Sequence, residues 1–297
     1  MTIEAEDRWS QPMILDGGLS TELERGGADL SDALWSARLL NDDPEAIRRV
    51  HASFFDAGAD VAISASYQAS FEGFAARGIE APQAASLMRR SVELAREASD
   101  AAGPGRLVAA SVGPYGATLA DGSEYRGDYG LSAGALAMFH RPRLEALLEA
   151  EPDVLAMETI PSIIEAEALL TLLEDHSHAR AWVSFSCRDG GCISDGTPFG
   201  EAASLAASSD HVLAVGVNCT PPGFIPSLLE SAEVRVPLLA YPNVGSTWDA
   251  VARSWVLRGE RPDPGAASVA WQAAGATIVG GCCGTTPDDI RAIAAAA

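Results

Sequence analysis

Eight short, β-branched apolar runs recur along the chain, each followed by an amphipathic stretch, and this alternation restricts the fold more than any other feature. The runs are 13–16 (MILD), 60–66 (DVAISAS), 107–113 (LVAASVG), 154–159 (VLAMET), 181–187 (AWVSFSC), 212–219 (VLAVGVNC), 237–243 (PLLAYPN) and 276–282 (ATIVGGC). They are apolar nearly throughout rather than at alternate positions, the pattern of strands buried on both faces in a parallel sheet covered by helices. The segments between them have helical period. Asp43-Pro44 supplies an N-cap with proline at the first helical position, and Ile47, Val50, Phe54 and Phe55 follow on one face. Further helices are expected over 82–102, 133–150, 161–176, 199–208, 222–231 and 265–274, with a last one starting at Thr286-Pro287.

Eight βα units within 297 residues fit one closed (β/α)8 barrel of the TIM type better than an open doubly wound sheet. No linker or composition shift interrupts them, so 1–297 reads as a single domain, with 1–11 as a flexible N-terminal tail. That tail carries Glu4, Glu6 and Asp7 ahead of any apolar run, unlike a secretory signal, and no stretch approaches the ~18–20 apolar residues of a membrane span. A cytoplasmic location is expected.

The charges exclude several classes of function. All 20 basic residues are arginine, which removes Schiff-base and pyridoxal-phosphate chemistry, both of which need a lysine amine. A formal charge of −21 argues against nucleic-acid or anionic-membrane partners, which require clustered positive charge.

In a barrel of this kind the active site is built at the C-terminal ends of the strands. Two long segments with loop character, 113–130 and 244–264, follow such ends and are expected to cover the mouth. Cys219 ends the sixth run, and Cys282 and Cys283 end the eighth within GGCCG, so three thiols converge on one rim. Three thiolates form a soft ligand set that favours one zinc ion per chain, with a fourth position left for substrate. Adjacent residues on a regular strand face opposite ways, but Gly280, Gly281 and Gly284 allow the backbone to aim both sulfurs at one ion. A phosphate-cradling GGCCGTT loop is the rival reading, and it leaves the paired cysteines unexplained. Cys187 and Cys192 read as incidental.

Asp16 and Glu158, at the ends of the first and fourth runs, are placed to grip an α-amino group, with Gly17 freeing backbone N–H groups nearby. Ser66 and Gln68 are candidates for neutral hydrogen bonds to substrate, and Asn218 either orients Cys219 or faces the core. None of His51, His140, His176, His178 and His211 ends a strand, which removes support for a Ser–His or His-ligated hydrolase.

Several of these segments resemble the homocysteine S-methyltransferases: DGGLSTELERGG (16–27), SASYQASFEGF (64–74), SVGPYGATLADGSEYRGDYG (111–130), METIPSIIEAEAL (157–169), DGTPFGEA (195–202), GVNCTPP (216–222), YPN (241–243) and GGCCGTTPDDI (280–290). The similarity runs along essentially the whole chain. It implies zinc on Cys219, Cys282 and Cys283, homocysteine's amino group on Asp16 and Glu158, and backbone near Gly17 on its carboxylate. It further implies methyl transfer from a sulfonium donor, S-methylmethionine or more weakly S-adenosylmethionine, to homocysteine, giving methionine. Selenocysteine or another thiol is an alternative acceptor. VGST at 244–247 departs from the Ser-Gly-Glu that the family leads one to expect after YPN. From other classes, a zinc-dependent barrel hydrolase and a vicinal-dithiol metal or redox sensor stay open.

Overall fold

The computed structural model describes residues 8–30, 34–249, 254–257 and 261–297. Its strands are β1 (Met13–Ile14), β2 (Val61–Ile63), β3 (Leu107–Val112), β4 (Val154–Ile160), β5 (Ala181–Phe185), β6 (Val212–Asn218), β7 (Leu238–Tyr241), β8 (Ser246–Asp249), β9 (Ser254–Leu257) and β10 (Ala276–Val279). Eight of them form one parallel sheet in the order β1-β10-β7-β6-β5-β4-β3-β2. The ends of that order meet through a parallel bridge between Leu15 and Val61, where Asp16 N donates to Val61 O at 3.0 Å and Asp60 N to Ile14 O at 2.7 Å. The sheet is therefore a closed (β/α)8 barrel. Strands β8 and β9 form a separate two-stranded antiparallel sheet within the 244–264 insertion.

The uninterrupted apolar runs have a simple origin. On β4, Val154 and Ala156 pack inside the barrel with Leu15, Trp182 and Ile278, whereas Leu155 and Met157 pack outside, against the helices. Both faces of each strand are packed, so both are mainly apolar. The same alternation directs the last residues of the strands: Glu158 has the inward parity of Val154 and Ala156.

The helices start where the sequence predicts. Asp43 Oδ1 accepts from Ala46 N at 3.1 Å at the head of the helix Pro44–Asp56, and Thr286 with Asp289 forms a capping box on Pro287–Ala296. The N-terminal segment departs from the expected free tail. Trp9, in the short 3-10 turn Arg8–Ser10, is 2% exposed and packs 5.8 Å from Trp182 among the residues that fill the barrel. An indole of that size gains more from burial than the turn loses in chain entropy. Residues 1–7 lie outside the described part of the chain.

Candidate active site

The rim cavity brings the cysteines together as their strand positions predict. The Sγ atoms of Cys219, Cys282 and Cys283 all lie within 4.8 Å of one another, with Cys219 to Cys283 at 3.5 Å and Cys282 to Cys283 at 4.0 Å. Three vertices of a tetrahedron with Zn–S bonds of about 2.3 Å are separated by about 3.8 Å, so the donor set fits such an ion. All five cysteines are free thiols.

Backbone distortion achieves this convergence. By alternation Cys219 would face outward with Val215 and Val217, but its φ of 47° is left-handed and turns the side chain toward the mouth. Gly281 has no room for a side chain, since a Cβ there would stand 2.2 Å from Thr285 Cγ2, and this tight packing lets the following cysteines cross the rim. Hydrogen bonds from Cys282 and Cys283 hold Cys219 well below the usual thiol range, and their bonds to Cys219 push both of those thiols up.

Asp16 and Glu158 line the same cavity, as does Gly17. Glu158 accepts hydrogen bonds from Ser111 Oγ and, at 3.2 Å, from the Tyr241 hydroxyl, while Tyr241 in turn accepts from Trp182 Nε1 at 3.0 Å. Burial nevertheless pushes Glu158 up to about 7, and those two bonds only partly oppose it. Asp16 Oδ2 accepts from Ile63 N at 2.8 Å, and Oδ1 is buried without a partner. Burial, reinforced by the charge of Glu158, holds Asp16 well above the usual carboxylate range. A cation bound between these two carboxylates would relieve both costs at once.

Two expected contacts fall elsewhere, and Asn218 takes the buried one of its two expected orientations. Ser66 Oγ donates to Ser111 O at 2.8 Å, and Gln68 Nε2 donates to Ala117 O at 3.1 Å beside an outer groove; neither side chain borders the cavity. The chain turns after β2, so Ser64, Ala65 and Tyr67 reach the cavity in their place. Asn218 is buried behind the wall. Its Oδ1 accepts from Thr159 N at 2.6 Å and its Nδ2 donates to Thr159 Oγ1 at 2.8 Å, fixing a β-branched residue at a φ of 60° directly after Glu158. None of the histidines borders the cavity, and Cys187 and Cys192 stand apart from the trio. Val244, first residue of the VGST departure, donates from its N–H to Cys283 O at 3.3 Å.

Sequence reasoning singled out the 113–130 loop without identifying its working residues. The Tyr125 hydroxyl lies 3.4 Å from Cys219 Sγ, and Glu124 is a buried wall residue whose carboxyl burial pushes up to about 7. The loop is held from behind by groups distant in sequence. Buried Arg143 donates to Gly113 O at 2.8 Å and Tyr67 O at 3.0 Å, while Tyr115 N donates to Glu165 Oε1 at 2.6 Å.

A barrel that closes three thiols and a pair of buried carboxylates around one mouth offers a donor set suited to a soft metal, and no histidine stands on its described wall. The homocysteine S-methyltransferase family model matches residues 13–297, and the chain belongs to that family of methyltransferases. It is 50% identical to the homocysteine S-methyltransferase of Escherichia coli over 95% of this chain and 94% of that one. It is 47% identical to homocysteine S-methyltransferase YbgG of Bacillus subtilis, over 95% and 93%. The crystal structure of E. coli homocysteine methyltransferase MmuM in its metallated form superposes with a TM-score of 0.87 at 46% identity, covering 97% of each chain.

Proposed function

We propose that the protein transfers a methyl group from a sulfonium donor, S-methylmethionine or more slowly S-adenosylmethionine, to the sulfur of L-homocysteine, with one zinc ion held by Cys219, Cys282 and Cys283. The observation that carries this reading is the trio of sulfurs within 4.8 Å in the cavity that also holds the unpartnered Asp16 Oδ1.

When bound, zinc acts as a Lewis acid that keeps a coordinated thiol deprotonated near neutral pH, where a free thiol with a pKa of about 8.5 is mostly protonated. Asp16 and Glu158 bind the ammonium group of homocysteine, and backbone around Gly17 receives its carboxylate. Together they hold the amino acid with its sulfur beside the trio. The thiolate electron pair forms the new S–CH3 bond as the bond from carbon to the sulfonium sulfur breaks, and the donor leaves as a neutral thioether. No proton is delivered to that leaving group, which agrees with a cavity wall that has no histidine or lysine among its described residues. Tyr125 donates to Cys219 and so stabilises negative charge on the trio. Free thiols as ligands need a reducing compartment, in keeping with a cytoplasmic enzyme. Among the described residues, no helix is long and apolar enough to cross a membrane.

Metal analysis combined with methionine formation from S-methylmethionine, S-adenosylmethionine and betaine in parallel tests this reading. About one zinc per chain and turnover with the sulfonium donors are expected. A metal-free protein, or one that makes no methionine from any donor, overturns it.

A further inference from the structure

The Asp16–Glu158 pair accounts for the acceptor amino acid but leaves another buried carboxylate on the cavity wall without a role. Glu124 is 7% exposed, lines the cavity together with the trio, and its Oε2 has no hydrogen-bond partner among the described residues. Its basic neighbour forms no ion pair with it among the described residues. Arg126 is half exposed and is engaged with Asp121, Asp128 and the Ser123 hydroxyl. Glu24 also borders the cavity but is exposed, where water already solvates its charge.

The position of Glu124 is built rather than incidental. Asp121 Oδ1 accepts from Ser123 N at 2.9 Å and from the Ser123 hydroxyl, nucleating the 3-10 turn Ser123–Tyr125. Ser186 Oγ donates to Glu124 O at 3.1 Å, tying the turn to the end of β5. Gly116 packs so closely that a Cβ there would stand 2.6 Å from Glu124 N. The adjacent residue, Tyr125, reaches Cys219 Sγ at 3.4 Å, so this turn lies against the sulfur centre. A methyl donor has to bring its carbon to roughly 3–3.5 Å from the attacked sulfur, in line with its leaving group, and so must pass close to this wall. The described wall carries four carboxylates, Asp16, Glu24, Glu124 and Glu158, and no arginine or histidine, so it favours cationic over anionic donors.

We infer that Glu124 is the residue that anchors the positive charge of the sulfonium donor, making a second carboxylate subsite distinct from the Asp16–Glu158 site for homocysteine. The inference rests on the sulfonium-donor reading above. An anchor already buried and held rigidly costs little reorganisation when the donor arrives, and its attraction weakens as the positive sulfonium becomes a neutral thioether, which favours product release.

The test is steady-state kinetics of zinc-loaded Glu124→Gln, an isosteric change that removes only the charge, with S-methylmethionine and with the uncharged methylating agent methyl iodide. A lost charge-assisted contact of about 1.5–3 kcal/mol corresponds to a rise of roughly ten- to a hundred-fold in the KM for S-methylmethionine. The KM for homocysteine, the zinc content and the second-order rate with methyl iodide should stay at wild-type values. Glu124→Asp, which keeps the charge but shortens the reach, should fall between the two, and gives the same selective readout should the Gln variant fail to fold. An unchanged KM for S-methylmethionine, or an equal loss with methyl iodide, overturns the inference. Wild-type enzyme is assayed alongside: if it forms no methionine, the proposed function fails, whereas active wild type with an indistinguishable variant removes only the role of Glu124.

Discussion

Asn218 accepts a hydrogen bond from Thr159 N at 2.6 Å and donates one to Thr159 Oγ1 at 2.8 Å, joining the residue before Cys219 to the residue after Glu158. Both Thr159 and Cys219 have left-handed backbone, at φ of 60° and 47°, a conformation that costs a non-glycine residue about 1–3 kcal/mol. A single side chain thus couples the turn that presents the Cys219 thiol to the turn that presents the Glu158 carboxylate. Asn218→Ala should leave Thr159 N–H buried and unpaired and lower stability by about 1–3 kcal/mol in urea denaturation. It should also raise the homocysteine KM, because Glu158 loses its support. Wild-type values of both would show that the pairing supports neither turn.

Replacing Cys283 by alanine leaves two thiols where three are needed. Metal content and methionine formation should disappear together, as read by metal analysis of the purified variant and by assay. Stoichiometric zinc in an active variant would remove Cys283 from the ligand set.

Glu158→Gln keeps the hydrogen bonds with Ser111 and Tyr241 feasible and removes the charge facing the substrate ammonium. A rise of roughly ten- to a hundred-fold in the homocysteine KM is expected, with zinc retained. An unchanged KM would place the ammonium elsewhere.

His51 is fully buried in the helix Pro44–Asp56, and neither ring nitrogen has a partner among the described residues. Burial lowers its pKa from 6.5 to about 4. Between those values the unfolded chain binds a proton there that the native chain does not, so stability is retained above pH 6.5 and lost as pH falls toward 4. The loss amounts to roughly 3 kcal/mol. His51→Leu should lose correspondingly less stability over this window when denaturation is followed as a function of pH. Parallel curves for the two proteins would assign the acid sensitivity to other groups.

Much of this architecture could be read from local pattern. The run VLAMET is apolar at successive positions because Val154 and Ala156 face the barrel interior and Leu155 and Met157 face the helices, and a two-sided dry environment leaves that mark on the sequence. Glu158 stands out as an acid closing an otherwise apolar run, and the strand parity then turns it toward the cavity. Cys219, Cys282 and Cys283 were legible because their residue type, strand-end position and glycine context all point to one chemistry. Ser66 and Gln68 resemble substrate contacts in the sequence because they follow a strand end, where the alternation that would orient them has already broken down, and for Asn218 the sequence leaves two orientations open.

What the sequence determined by itself, then, was the barrel, the identity of its rim and the convergence of three cysteines there, since each depends on periodicity or composition within a few residues. Only the tertiary structure decided that Trp9 fills the barrel instead of trailing from it, that Asn218 works behind the wall, that Glu124 lines the cavity and that Tyr125 reaches Cys219. Those outcomes depend on Trp182, Thr159, Arg143 and Glu165, partners tens of residues or more away, whose contacts exist only once the strands have closed into a ring. Local propensity can specify that a loop occurs; the buried hydrogen bonds that hold it in one conformation are set by the packed barrel.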